Sequence, residues 1–345
     1  MKINIKNISI KSICATLFIS LFLSCNNGIE ELQREKQFYS SLANLGNDFL
    51  SVFTSFGDSL GGVLGFNPNT KKSEVGNYFK NIQETVQGVK TGLNNIVTDM
   101  KNQENPNAST VEAAVKALNE KLDKIIEGAK TVSEAIGTDA TAPIGNVAAS
   151  AAAGAVGIGV DKLVQGIKSI VGVVLKDKGK ADAGDNKKAE DGSTERNSDG
   201  SVKLFANASA GSDDKKAAAD AAKAIGAVTG ADILQAMVKD NGDAAKLAKN
   251  SSSGVTAPKD AEVAGGIALR AMAKEGKFAN GSSASEAKKI LDGAVTSALT
   301  KALDTLTIAI RKTIDEGLKE VKKVMNINAN IDPVTSDDRG IATSN

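Results

Sequence analysis

The 345-residue chain has no histidine and no tryptophan, two cysteines and five prolines, and aromatic residues make up only 3% of it. Without histidine, most transition-metal sites and the common catalytic triads are excluded. The cysteines are Cys14 and Cys25. Both fall in the first twenty-five residues, so the rest of the chain has no thiol and no disulfide, and its stability must come from packing and helix chemistry. An excess of charge is also missing, with 42 Lys+Arg against 41 Asp+Glu. That balance argues against an electrostatic nucleic-acid partner. The shortage of aromatics beside abundant alanine and glycine favours close-packed helices over sheet.

What is present begins at the N-terminus. Lys2, Lys6 and Lys11 give Met1–Lys11 a basic character without an acid, and Ser12–Leu23 is an apolar run. Its length suits the hydrophobic region of a signal peptide and is too short to span a bilayer. Ser24 and Cys25 follow, then the polar Asn26-Asn27-Gly28. A small residue before a cysteine at this place is the bacterial lipobox arrangement. Cleavage would remove residues 1–24 and leave Cys25 as the new N-terminus, its thiol carrying diacylglycerol and its amine an acyl chain. Phe22 stands where the common lipobox has leucine. Residues 25–345 are expected to form a single helical domain.

Apolar residues recur in steps of three and four along four segments. The first seam is Phe38, Leu42, Leu45, Phe49, Val52, Phe56 and Val63. The second is Val75, Phe79, Ile82, Val86, Val89, Leu93, Ile96 and Met100. The third is Val111, Val115, Leu118, Leu122, Ile125, Ala129, Val132 and Ile136. The fourth, near the C-terminus, is Leu299, Leu303, Leu306, Ile310, Ile314, Leu318, Val321 and Met325. This heptad-like spacing predicts bundle or coiled-coil packing. Ser109 with Glu112, and Ser283 with Glu286, read as capping boxes opening the third and fourth helices. A loose polar tail is expected after Asn326.

The middle of the chain has a different character. Ala140–Val160 carries no charge and is rich in alanine and glycine, and we expect a buried helical segment there. Residues 176–213 and 240–260 are charged and aperiodic, and are expected to be exposed loops that contribute little to the core. Leu234-Gln235-Ala236-Met237-Val238-Lys239 resembles Leu269-Arg270-Ala271-Met272-Ala273-Lys274. Two copies are too few for a solenoid, so they read as two short helices of similar shape.

No motif for chemistry survives inspection. No stretch has EF-hand spacing, there is no P-loop, and Gly157-Ile158-Gly159 lacks the third glycine of a dinucleotide fingerprint. Ser212-x-x-Lys215, Ser285-x-x-Lys288 and Lys90-Thr91-Gly92 imitate the motifs of penicillin-binding enzymes, but in the wrong order and without a Ser-Asp-Asn element. The acid pairs Glu30-Glu31, Asp213-Asp214 and Asp337-Asp338 are expected to be solvated charge. We therefore expect no enzyme, cofactor, metal or small-molecule substrate. The sequence carries no signal for an oligomeric state.

Taken together, several segments resemble the variable large proteins of Borrelia. They are the lipobox, Phe38–Phe66 (FYSSLANLGNDFLSVFTSFGDSLGGVLGF), Ala221–Met237 (AAKAIGAVTGADILQAM) and Gly265–Ala279 (GGIALRAMAKEGKFA). These are major outer-surface lipoproteins of relapsing-fever spirochaetes, related to the variable surface antigen of Lyme spirochaetes, and the resemblance spans essentially the whole chain. It implies antigenic variation, with one version coating the cell at a time so that switching evades host antibody. It implies a lipid anchor in the outer membrane facing the exterior, and tolerance of a loose lipobox. It also implies an elongated all-helical bundle, with long N- and C-terminal helices near the membrane and loops at the far end. Host antibodies would be the partners. Gly265–Ala279 corresponds to the segment of the Lyme antigen that changes least and is largely buried there. The alternative function is a lipid-anchored adhesin that binds a host molecule.

Overall fold

The computed structural model describes residues 65–325, apart from 103, 198 and 250–254. The signal segment, Cys25, the first seam and the tail lie outside the described residues. Among those described the fold is all-α. The helices, in order, are α1 (Lys72–Asn102), α2 (Ala108–Ile136), α3 (Val160–Val174), α4 (Asp214–Gly226), α5 (Gly230–Val238), α6 (Asp243–Lys249), α7 (Asp260–Met272) and α8 (Ala284–Val324). A short 3-10 helix, Gly200–Phe205, lies between α3 and α4. The described chain divides into two compact units, one made of residues 91–116 and 318–325, the other of 65–90 and 117–317.

The long helices follow their periodicity. Every seam position on α1 and α2 is buried, as is every position of the fourth seam except the half-buried Leu318. Their starts differ in detail from the expected caps. α2 begins at Ala108, so Ser109 lies inside the helix, and Glu112 ion-pairs with Lys101 at 2.6 Å. Ser283 does stand just before α8, but its N–H donates to Asp214 at 2.9 Å, and Glu286 pairs with Lys215. At the α2–α3 crossing, a Cβ on Gly128 would lie 2.5 Å from the Gly166 carbonyl oxygen, and one on Gly166 would lie 2.7 Å from that of Gly128. Only glycine at both places allows the backbones to come so close.

Residues 137–159 correct an expectation. They are not helical, and most of them are not buried, with Val156 45% and Ile158 52% exposed. The segment is extended and pairs its backbone with residues 274–281. Ile158 N–H bonds Lys274 O at 2.8 Å, Ala155 and Lys277 exchange bonds of 2.9 and 3.0 Å, and Ala148 N–H bonds Phe278 O at 2.9 Å. Pro143 and the glycines weaken a helix, so the chain finds its backbone partners in a neighbouring strap instead. Gly154 sits where a Cβ would meet Lys277 O at 2.8 Å and Ala279 N at 2.9 Å.

Candidate functional site

The segment between α3 and α4, expected to be a solvated excursion, is only partly that. Residues 189–195 are all exposed. The next residue, Arg196, is fully buried, and so are Val202, Leu204 and Phe205 of the 3-10 helix. Residues 240–260 are likewise mixed. Asp240 and Asn241 are exposed, whereas α6 buries Ala244, Leu247 and Ala248. The charge and the lack of period along these stretches hid the anchors.

Arg196 is the main anchor. Its Nε donates to Asp220 Oδ2 at 2.8 Å, and its Nη2 donates to Asp260 Oδ1 at 2.6 Å and to Asp220 Oδ1 at 3.0 Å. Nη1 reaches the backbone oxygens of Asp185 at 3.0 Å and Pro258 at 3.3 Å. The carboxylates are as buried as the guanidinium, at 2% exposure or less. Burial works against the charge of Arg196, but Asp220 and then Asp260 outweigh it and hold the group above its ordinary range. Both acids also serve backbone groups. Asp220 accepts the N–H of Ala189 at 3.0 Å and of Ser201 at 2.8 Å, and Asp260 accepts that of Asp185 at 2.8 Å. Lys223 adds bonds to Asp185 Oδ1 at 2.6 Å and Lys187 O at 3.1 Å. The exposed turn thus rides on a buried ionic clasp held by α4 and the start of α7. Its tip is ordered by Asp191, which accepts the N–H groups of Ser193 and Thr194 at 2.8 Å each. Those bonds, with that from the Thr194 hydroxyl first, hold the Asp191 carboxyl well below the usual range.

α7 is buried along its whole length. Past its end, Gly265–Ala279 remains largely inside, with Glu275 exposed. Two cations serve this segment. Lys72 Nζ donates to the carbonyl oxygens of Arg270, Ala271 and Ala273 at 3.0, 2.7 and 2.8 Å. Burial, and secondly the charge of Arg270, pull its ammonium down to about 7, while its three carbonyl acceptors use all three of its protons. Arg270 itself bonds Leu247 O at 2.6 Å and Phe205 O and Lys277 O at 3.3 Å each, and lies 5.0 Å over the Phe205 ring. Burial draws its guanidinium down to about 10.

The two similar hexapeptides prove to share this role. Leu234 and Met237 are buried on α5, as are Leu269 and Met272 on α7. The second residue of each is a peg for backbone carbonyls: Gln235 donates to Lys176 O at 2.8 Å and Lys178 O at 3.0 Å, as Arg270 does to its three. The acid pairs also divide. Asp213 faces Lys203 at 3.0 Å, but Asp214 is fully buried and receives the N–H groups of Ser283 at 2.9 Å and Lys215 at 2.8 Å. Solvation was the wrong expectation for Asp214, because a chain turn needed its oxygens. The serine–lysine imitations come apart: Lys215 pairs with Glu286 and Lys288 with Asp292. A polar cleft lies between Lys188, Glu190, Asp199, Asp213 and Lys216. Its lysines are matched by carboxylates, Lys188 with Asp199 at 3.0 Å and Lys216 with Glu190 at 2.7 Å.

Sequence reasoning found none of the buried pins. One signal was there, since Arg196 is the single arginine of a lysine-rich stretch, and arginine suits a forked, buried carboxylate site. Cys25, the one residue expected to carry chemistry, lies outside the described residues.

The profile of the Borrelia lipoprotein family matches residues 49–325. The chain is 62% identical to variable large protein 19 of Borrelia hermsii over 335 residues, 94% of this chain and 95% of the relative. It is 40% identical to variable large protein 4 of the same organism, over 92% of each chain. Among solved structures, the Lyme disease variable surface antigen VlsE of Borrelia burgdorferi is similar at 34% identity and a TM-score of 0.63, covering 84% of this chain and 98% of that one.

Proposed function

We propose a function from one premise: the chain belongs to the Borrelia lipoprotein family, among its variable large proteins. It is a variable surface antigen that acts in antigenic variation, and not an enzyme. Its anchor, in our reading, is Cys25, with diacylglycerol on the thiol and an acyl chain on the amine. Each buried methylene contributes about 0.8 kcal/mol, and two or more chains give stable attachment. The anchored protein faces outward from the outer membrane, one version is expressed at a time, and host antibodies are the partners that matter.

One observation carries this reading. The exposed residues 189–195 sit on a clasp whose bonds come from Arg196, Asp220 and Asp260 behind them. Substitution in the exposed run leaves those bonds in place. Antibody recognition depends on a few well-packed contacts, so it can be lost while the fold persists.

The test is made on cells. A population expressing this chain is placed under serum raised against it, and the expressed gene of the survivors is sequenced. Replacement by a different relative is expected; survivors that keep this gene unaltered would overturn the switching role. Cys25→Ser in the same cells should abolish incorporation of labelled fatty acid and surface retention. Undiminished labelling would move the anchor elsewhere.

A further inference from the structure

We propose that Asn241 is a site of spontaneous deamidation, a chemical modification that changes the charge of the exposed face without a change of gene. The proposal rests on reactivity and geometry, and stands whether or not the switching role does.

The sequence contains three Asn-Gly pairs, at 27–28, 241–242 and 280–281, and the latter two lie among the described residues. Glycine after asparagine is the most permissive neighbour for this reaction, because no side chain blocks the backbone nitrogen. That nitrogen attacks the asparagine Cγ, forming an N–Cγ bond. The Cγ–Nδ2 bond breaks, and Nδ2 leaves as ammonia with the proton that the backbone nitrogen gives up. Water then opens the resulting succinimide at either carbonyl, yielding aspartate or isoaspartate. No oxidant or partner enzyme is required.

The structure sets the two pairs in opposite conditions. Asn241 is exposed in the turn between α5 and α6, and its φ of 52° places it in the left-handed region. Its side-chain amide has no hydrogen bond among the described residues. Gly242, which carries the attacking nitrogen, is buried, and its N–H is held by a turn bond to Lys239 O at 3.0 Å. Asn280 is 3% exposed. Its Nδ2 donates to Ala148 O at 3.1 Å and Ala284 O at 3.4 Å, and its Oδ1 accepts the Gly281 N–H at 3.0 Å. Reaction at Asn241 requires one turn to open; reaction at Asn280 requires the buried strap to come apart. The new carboxylate would join Asp240 and Asp243, which face Lys168 at 2.5 Å and Lys246 at 2.7 Å.

The test ages the folded protein in neutral and mildly alkaline buffer, then follows tryptic peptides by mass. The peptide 240–246 should gain the mass of an amide-to-acid conversion, faster at higher pH, and become a substrate for isoaspartyl methyltransferase. Its rate should exceed that of the peptide holding Asn280 by at least about tenfold, since the latter waits on a larger opening. In denaturant the two rates should converge, which assigns the difference to the fold. Asn241→Gln, whose longer side chain would have to close a larger ring, should remove the signal. An unmodified 240–246 peptide in the folded protein, or equal rates at both sites before denaturation, would overturn the proposal.

Discussion

The long helices and the irregular middle of this chain keep their interiors by opposite means. α1, α2 and α8 bury apolar seams, because a helix satisfies its own backbone groups and needs only an apolar stripe to pack. Residues 176–226 and 240–284 contain the buried charges Arg196, Asp214, Asp220, Asp260, Glu262 and Arg270. These are the stretches where the chain lacks long helices to absorb its N–H and C=O groups. Arg196 serves the carbonyls of Asp185 and Pro258, and Asp220 the N–H groups of Ala189 and Ser201. Buried charge here takes the place of secondary structure. For an antigen the division is useful, because an irregular surface with fixed supports can change its outer residues without losing its path.

The comparison breaks most severely on the helical side. Leu122 is fully buried in the α2 seam. Leu122→Asp places an unpaired charge there and should cost more than about 4 kcal/mol. Leu122→Ala, which only leaves space, should cost about 2–5 kcal/mol. Denaturant titration followed by circular dichroism measures both. A Leu122→Asp protein melting like the wild type would mean that the seam is not core.

On the irregular side, Arg196→Ala leaves Asp220 and Asp260 buried without their cation, and should cost about 3–5 kcal/mol. The loss should be read by hydrogen exchange as well as by melting, with protection falling first at Ala189, Ser201 and Asp185. Deleting residues 176–213 should cost more than losing a solvated loop would, since it also removes Phe205, which packs edge-on against Phe278 at 5.9 Å between ring centres. Full stability after Arg196→Ala would reduce the clasp to a surface ornament.

Legibility in the sequence follows the same division. The seams on α1, α2 and α8 can be read residue by residue, because period 3.6 is written in the choice of apolar side chains. The pins cannot, because nothing local marks which of many charged residues faces inward. Asp214 and Asp213 are neighbours of one type, yet one is buried under the Ser283 N–H and the other meets lysines at the surface. Residues 137–159 mislead for a related reason. Alanine-rich composition suggests a helix, while the partner that makes an extended path better, residues 274–281, lies more than a hundred positions away in the chain. The family was legible from whole segments and needed none of this.

The finest test of the comparison is Lys72, where a helical residue serves the irregular region. In the folded chain it titrates at about 7, against an ordinary lysine value of 10.5. Below about 7 both folded and unfolded chains hold the proton. Between the two values the unfolded chain holds more protons, so stability should rise with pH across that window and level off above it. Lys72→Met abolishes the rise and leaves the carbonyls of Arg270, Ala271 and Ala273 without their donor. Melting curves of both proteins from pH 6 to 10 should therefore diverge as the pH rises, the wild type gaining relative to the variant. Parallel curves would mean that the three carbonyls at the end of α7, favoured by the helix dipole, keep the ammonium charged throughout, and that the pin is a permanent cation like Arg196.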